Sequence, residues 1–273
     1  MITTAELHDA AQREGLRFDQ VEKDYVILCV LSGLVRAGSE GAGWTFKGGT
    51  CLRHCYYPGY RFSEDIDFSC GPRGDNLASA VSLLEQAAGL VVDDTGVAID
   101  VREAVHSPGQ EQIEIPLHYS RGSVRRQALP AVRVHLTFDE PVLMPAEIRV
   151  VTPYYAGLKS FRVTAYSLLE IAAEKLRALL QQQDKWPRPR DLYDLWYILC
   201  ERSERVAGRE LRSLFERKCE VRRIKPDVSG LTSEALKEWN RGAWKTQLAP
   251  MMKAAPDYER VWDDWVRTSA TLL

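Results

Sequence analysis

Two aspartates two positions apart, Asp65 and Asp67 in Arg61-Phe62-Ser63-Glu64-Asp65-Ile66-Asp67-Phe68, are the first residues in this chain whose spacing could do chemistry. In an extended segment, side chains two apart share a face. Both carboxylates therefore project together, while Ile66 and Phe68 turn into a core. Two ionised carboxylates this close repel each other, and a divalent cation between them removes the repulsion. Hard oxygen ligands suit Mg²⁺ or Mn²⁺. Alone, the pair reads equally as the solvated face of an edge strand. Upstream lies Lys47-Gly48-Gly49-Thr50. A strand running into two glycines and then a helix start bares backbone N–H groups, and the missing side chains let a phosphate come close. Thr50 could cap the helix or bond a phosphate oxygen, and Lys47 adds a positive charge. A plain tight turn is the bland alternative for this segment. Phosphate and metal together are what nucleotidyl transfer requires.

Two further charged residues stand out downstream. On a helical wheel Leu168, Ile171, Ala172, Leu176 and Leu179 form an apolar stripe, and Lys175 falls inside it. The polar face carries Glu170, Glu174, Arg177 and Gln181. A lysine in an apolar stripe is costly unless an anion meets it. It either reaches out to water, pairs with a structural acid, or points into a cleft to hold a polyphosphate. In Pro189-Arg190-Asp191-Leu192-Tyr193-Asp194-Leu195-Trp196, the stripe is Leu192, Leu195, Trp196 and Leu199. Asp191 flanks it, and Asp194 is expected to point further toward solvent. An aspartate in a first turn also simply favours the helix dipole.

The elements that must position these residues follow from periodicity. Val21 to Leu34 reads as a helix with a broad apolar face. Trp44 to Phe46 and Asp65 to Ser69 read as short strands, with a short helix starting at Thr50 between them. Asn76 to Leu90 repeats apolar residues at helical spacing. From about 97 to 151 the pattern is strand-like, with Val132, Val134, Leu136 and Phe138 on one face. Pro108-Gly109, Arg121-Gly122 and Glu140-Pro141 supply turns. After Pro153 the pattern is helical, with segments at 168–183, 191–201, 209–220, 233–241 and 258–268. Strands first and helices later predict an α+β fold: a catalytic lobe over 1–155 and a helical lobe over 156–273 that contributes Lys175 and Asp191.

Composition narrows the class. The chain has 273 residues, with 45% hydrophobic and 27% charged residues, which is ordinary globular usage. The longest apolar run, Tyr25 to Leu31, is far short of the roughly 20 residues that a bilayer-spanning helix needs. No leader is expected at Met1-Ile2-Thr3-Thr4, so a cytoplasmic protein without membrane contact is the expectation. The six cysteines form no C-x-x-C pair, and reduced, mostly buried thiols are predicted. Gly41-Ala42-Gly43 begins like a dinucleotide fingerprint, but Phe46 stands at its third glycine. A net charge of -2 argues against nucleic acid only as an average. Residues 175–225 hold fourteen basic and eight acidic residues, a local excess of six. Such a segment suits a phosphate backbone, or is a solvated helical surface with paired charges.

Taken in order, these segments resemble the AbiEii/AbiGii-type nucleotidyltransferase toxins, which include MenT-like toxins of toxin–antitoxin systems. Val21-Glu22-Lys23-Asp24-Tyr25 is similar to the family's opening helix. Lys47 to Thr50 resembles its Gly-Gly-Ser/Thr motif, and Arg61 to Phe68 its paired-aspartate motif. Tyr166 to Lys175 is similar to its lysine motif, and Arg190 to Leu195 to its last motif. The resemblance covers most of the chain. It implies a DNA polymerase β-like core with a helical C-terminal lobe. It also implies transfer of a nucleotide from a nucleoside triphosphate to an RNA 3′ end, the tRNA acceptor stem, which blocks translation. By the same resemblance Lys47, Gly48, Gly49 and Thr50 hold the triphosphate, Asp65 and Asp67 hold Mg²⁺, Lys175 contacts phosphates and Asp191 is a further catalytic acid. Arg61 and Asp194 lie in the same motifs. A cognate antitoxin is the implied partner.

One departure from the pattern concerns the third carboxylate that such sites carry on a neighbouring strand. There the polar face of 132–138 presents Arg133, His135 and Thr137. Either His135 serves, or the acid lies elsewhere, at Asp139 or Asp100, or the metal site is reduced. Modification of a protein hydroxyl, and nucleotide binding without turnover, are the alternatives to RNA transfer.

Overall fold

Alternating apolar residues commit the first part of the chain to a sheet with one dry face. The computed structural model describes residues 2–71, 76–106, 112–122, 128–182, 185–202 and 208–272. It divides into two compact units, Met1–Tyr166 and Ser167–Leu273.

The first unit opens with α1 (Thr4–Glu14) and α2 (Phe18–Ala37). Then come β1 (Trp44–Lys47), α3 (Gly48–Cys51) extended by a π-helical turn (Leu52–Tyr56), β2 (Asp65–Cys70) and α4 (Asn76–Thr95). The strands β3 (Val97–Val101), β4 (Val105–His106), β5 (Gln112–Arg121), β6 (Ala131–Thr137), β7 (Glu147–Val151) and β8 (Phe161–Ala165) complete it. Among the described residues these form one mixed sheet in the order β3-β5-β6-β2-β1-β8-β7, with β4 beside β5. β2 runs parallel to β6 and antiparallel to β1. Phe46, Ile66, Phe68, Ile115, Leu117, Tyr119, Val132, Val134 and Leu136 are buried on one face. Helices α2 and α4 pack together, α2 against β6 and α4 against β3, which covers that face. The polar face is left to carry chemistry.

The second unit is helical: α5 (Leu168–Gln182), α6 (Pro189–Trp196), α7 (Gly208–Val221), α8 (Glu234–Ala243) and α9 (Tyr258–Leu272), with short irregular helical turns between them. α5 packs against α6 and α7, and α9 against both of those. Trp265, Phe215, Leu211 and Val261 are buried in this core.

Several expectations shift. Helix α3 starts at Gly48 with Lys47 as its cap residue, so Thr50 lies inside the helix and does not cap it. Sequence periodicity marks neither α1 nor β8. β8 is a five-residue strand whose alternation is too brief to stand out, and its pairing with β1 and β7 fixes it. Thr137 is buried rather than presented to solvent. Glu170, assigned to the polar face of α5, is wholly buried because α7 packs there and brings Lys218 Nζ within 2.6 Å. The turn expected at Pro108-Gly109 lies outside the described residues. All six cysteines are free thiols, and all but Cys200 are buried. No helix among the described residues is long and apolar enough to cross a membrane.

Candidate active site

On the polar face of the sheet, strand register places chemistry-bearing side chains in a row. Lys47 on β1 is opposite Asp67 on β2, Asp67 is opposite His135 on β6, and His135 is opposite Glu114 on β5. One residue pair along, Asp65 is opposite Arg133. Asp65 and Asp67 share this face, as the spacing requires, and both carboxylates are partly exposed.

The row is knit by charge. His135 Nδ1 donates to Asp67 Oδ1 at 3.1 Å, and its Nε2 donates to Glu114 Oε2 at 3.3 Å. Burial disfavours the charged ring. The hydrogen bond to Asp67, the charges of Asp67 and Asp65 and the hydrogen bond to Glu114 outweigh it and push His135 up to about 9. The imidazole is therefore a cation at neutral pH, with both nitrogens donating. Arg133 Nε lies 3.2 Å from Glu114 Oε1, and its Nη1 lies 3.9 Å from Asp65 Oδ1.

Asp65 is the least satisfied member. Its Oδ1 is buried and accepts no hydrogen bond. Burial, and then the charge of Asp67, raise its carboxyl above the ordinary carboxylate value. A buried carboxylate oxygen without a donor, beside a second carboxylate, fits a divalent cation of the hard, oxygen-loving kind. Among the described residues, no three His, Cys, Asp or Glu side chains stand ready as a metal cage. The imidazolium of His135 fills the space between Asp67 and Glu114.

The glycine turn abuts this row. Gly48 has a positive φ of 79°, and a Cβ there would stand 2.3 Å from Asp67 Oδ2. A Cβ on Gly49 would stand 2.7 Å from Arg61 Nη2 and 2.9 Å from Ser63 Oγ. A side chain at either glycine would have to displace these groups, and the positive φ of Gly48 favours glycine as well. Thr50 is fully buried, and its hydroxyl donates to the Asp65 carbonyl, which ties α3 to β2. Lys47 is buried as well, 3.3 Å from Glu140 and over the ring of Tyr166. Arg61 is buried and donates to the Phe62 carbonyl.

The second unit holds its own polar cluster. Lys175 is buried, with Nζ 2.7 Å from Asp191 Oδ1 and 2.6 Å from Asp194 Oδ2. Asp194 does not point to solvent: it is wholly buried, because one turn of α6 places it on the same side as Asp191, toward Lys175. Arg188 also pairs with Asp191. Burial opposes ionisation of Asp191, but Arg188 and Lys175 outweigh it and hold the carboxyl well below the ordinary range.

Glu114 is the acid that sequence reasoning missed. Asp100 lies on β3, two strands beyond β6, exposed and paired with Arg102, and Asp139 lies past the end of β6. The signal for Glu114 was present in Ile113-Glu114-Ile115-Pro116-Leu117-His118-Tyr119, whose alternation turns Glu114 to the polar face. The antiparallel register that sets it beside His135 was not legible.

A mixed sheet with a glycine turn and paired aspartates on its polar face, together with a helical unit, makes the α+β fold expected from the resemblance to nucleotidyltransferase toxins. Residues 30–268 match the family described as "Nucleotidyl transferase AbiEii toxin, Type IV TA system", and the chain belongs to that family. Its structure is similar to MenT4, nucleotidyltransferase toxin Rv2826c from Mycobacterium tuberculosis H37Rv (TM-score 0.62, 20% identity, 100% of this chain and 99% of that chain). It is also similar to JHP933 from Helicobacter pylori (TM-score 0.60, 16% identity, 94% of this chain and 93% of that chain). No curated protein matches the chain.

Proposed function

We propose that this nucleotidyltransferase toxin moves a nucleoside monophosphate from a nucleoside triphosphate to an RNA 3′ end, that of the tRNA acceptor stem, and so blocks translation in the cytoplasm. A cognate antitoxin restrains it. The observation that carries the reading is the Asp65–Asp67 pair, with its buried Asp65 Oδ1 that accepts no hydrogen bond, beside the glycine turn.

In this reading Asp65 and Asp67 hold Mg²⁺ or Mn²⁺. When bound, the cation neutralises charge developing on the transferred phosphoryl group. Gly48 and Gly49 let the triphosphate approach the backbone. Glu140 holds Lys47 and the Asp65 carbonyl holds Thr50, and these two residues fix the turn that the phosphates meet. His135 orients Asp67 by donating to Oδ1, and Glu114 holds the other ring nitrogen. Lys175 contacts nucleotide phosphates, with Asp191 and Asp194 aiming its ammonium group. The RNA hydroxyl oxygen attacks the α-phosphorus and its proton passes to solvent; a phosphodiester forms as the bond from the α-phosphorus to the bridging oxygen of the β-phosphate breaks, and pyrophosphate leaves. Little covalent chemistry falls to the protein, so positioning and electrostatics carry the rate.

The test incubates the protein and its Asp65→Ala variant with each α-labelled nucleoside triphosphate, Mg²⁺ and total RNA. Label in tRNA from the native chain, absent with the variant, is the expected result. Label found only in protein, or nucleotide binding with no labelled product, overturns the reading.

A further inference from the structure

Five of the chain's seven tryptophans are buried, as large apolar side chains ordinarily are: Trp44, Trp196, Trp244, Trp262 and Trp265. Trp186 is not. It is 68% exposed, the most open large apolar side chain among the described residues. Its exposure comes from a well-anchored segment. It lies in Lys185-Trp186-Pro187-Arg188-Pro189-Arg190, where two prolines restrict the backbone. Two residues on, the Arg188 backbone N–H donates to Asn240 Oδ1 at 2.9 Å, and Asn240 is wholly buried. The Arg188 guanidinium pairs with Asp191. A stiff stem thus presents an indole to solvent beside the Lys175–Asp191 cluster. Lys185, Arg188 and Arg190 lie within four residues of Trp186, between Asp184 and Asp191.

An exposed aromatic ring set among cations is the chemistry that receives an unpaired nucleobase and its phosphates. Any base stacks on an indole, and the cations follow the backbone. A blunt duplex end offers no free base to such a platform. We propose that Trp186 is the stacking platform for the unpaired 3′ end of the acceptor RNA, with the 185–190 segment holding the adjoining phosphates. This rests on the transfer reading above and adds to it the form of the acceptor: a single-stranded terminus and not a duplex end. The other exposed tryptophan, Trp239, is 47% exposed on α8 and is flanked by Glu238 as well as Lys237 and Arg241. It is the less exposed of the two and has an acid as its immediate neighbour, and it serves as the control.

Fluorescence anisotropy at fixed salt would compare two labelled RNA hairpins, one with a short single-stranded 3′ extension and one blunt. Trp186→Ala is expected to weaken the extended hairpin about tenfold and leave the blunt one unchanged, the loss of roughly one stacked base. Trp186→Tyr should restore most of the loss, and Trp239→Ala should change neither hairpin. Unchanged affinity for the extended hairpin overturns the inference. So does equal weakening of both hairpins, or equal weakening by the two alanine variants. Lost affinity for an antitoxin protein with RNA affinity intact also overturns it, because it would make the indole a protein-docking residue. The transfer assay separates the two levels. If the native chain labels RNA and Trp186→Ala does so with unchanged KM, only the platform falls. If the native chain labels no RNA, the transfer reading falls first.

Discussion

The Asp65–Asp67 pair and the Lys175–Asp191–Asp194 cluster are both built on aspartates, and burial opposes ionisation in both. The outcomes differ. Asp65 is raised, because its nearest strong influence after burial is another carboxylate and its Oδ1 has no donor. Asp191 is lowered, because Arg188 and Lys175 already surround it. At the first site three carboxylates, Asp65, Asp67 and Glu114, share two cations, His135 and Arg133. The second has its cations built in. A satisfied buried network stabilises the fold whether or not it also meets substrate, and an unsatisfied pair of carboxylates does not.

The largest expected contrast is therefore in stability. Lys175→Ala takes the shared ammonium from two buried carboxylates and should cost about 3–5 kcal/mol, read as a lower urea midpoint. Asp65→Ala removes a source of repulsion, so its midpoint should match or exceed that of the native chain while transfer is abolished. If Asp65→Ala proves as destabilising as Lys175→Ala, the two sites are not opposites and the cation-seeking account of Asp65 fails.

Part of this contrast is legible in the amino-acid sequence alone. The alternation in Asp65-Ile66-Asp67-Phe68 sets both acids on one face, and the structure buries Ile66 and Phe68 as expected. Lys175 stands out because it interrupts an apolar stripe, and it is buried. What escapes depends on contacts distant in sequence. Glu114 joins His135 only through the β5–β6 register. Asp194 looks solvent-facing on a wheel of α6, until Lys175 on α5 is brought against it. Glu170 looks polar-facing until α7 supplies Lys218. Local periodicity shows which way a residue faces on its own element. Whether that direction leads to water depends on packing.

A buried network in the first unit sharpens the comparison, because it separates the type of site from the type of unit. Asp24 on α2 is wholly buried and accepts from Arg53 Nε at 3.0 Å, Tyr154 Oη at 2.7 Å and Tyr155 Oη at 2.9 Å, with His54 Nε2 at 3.1 Å. Burial opposes its charge, but Arg53 and His54 hold the carboxyl below its ordinary value of 3.8. Like Asp191 and unlike Asp65, it is a satisfied acid, although it belongs to the unit with the sheet. Asp24→Asn should cost about 2–4 kcal/mol at neutral pH. The sign for pH follows from the lowered value. The contribution is fully present above about 3.8 and is lost as pH falls toward the folded value. The urea-midpoint gap between native and Asp24→Asn should stay constant from pH 7 to 5 and shrink below 4. A gap that widens in acid would mean Asp24 is not held as a carboxylate.

Gly48→Ala should lose less stability than Lys175→Ala or Asp24→Asn, and it bears most directly on the open site. With φ at 79°, an alanine there strains the backbone by about 1–2 kcal/mol. Its Cβ would also press on Asp67 Oδ2, which stands 2.3 Å from that position. The carboxylate must rotate away, which breaks its contact with His135 and spoils the pair of acids. Gly48→Ala should therefore lose more transfer activity than stability, at least about a hundredfold in kcat/KM for a displacement on the order of 1 Å. A disordered or partly unfolded variant would lower the active fraction alone, leaving KM unchanged and the activity loss proportional to the loss of folded protein. Misplacement of Asp67 instead leaves the chain fully folded at assay temperature and depresses kcat/KM for every nucleoside triphosphate used. Finding the activity loss fully accounted for by the unfolded fraction would show that Gly48 serves the turn alone.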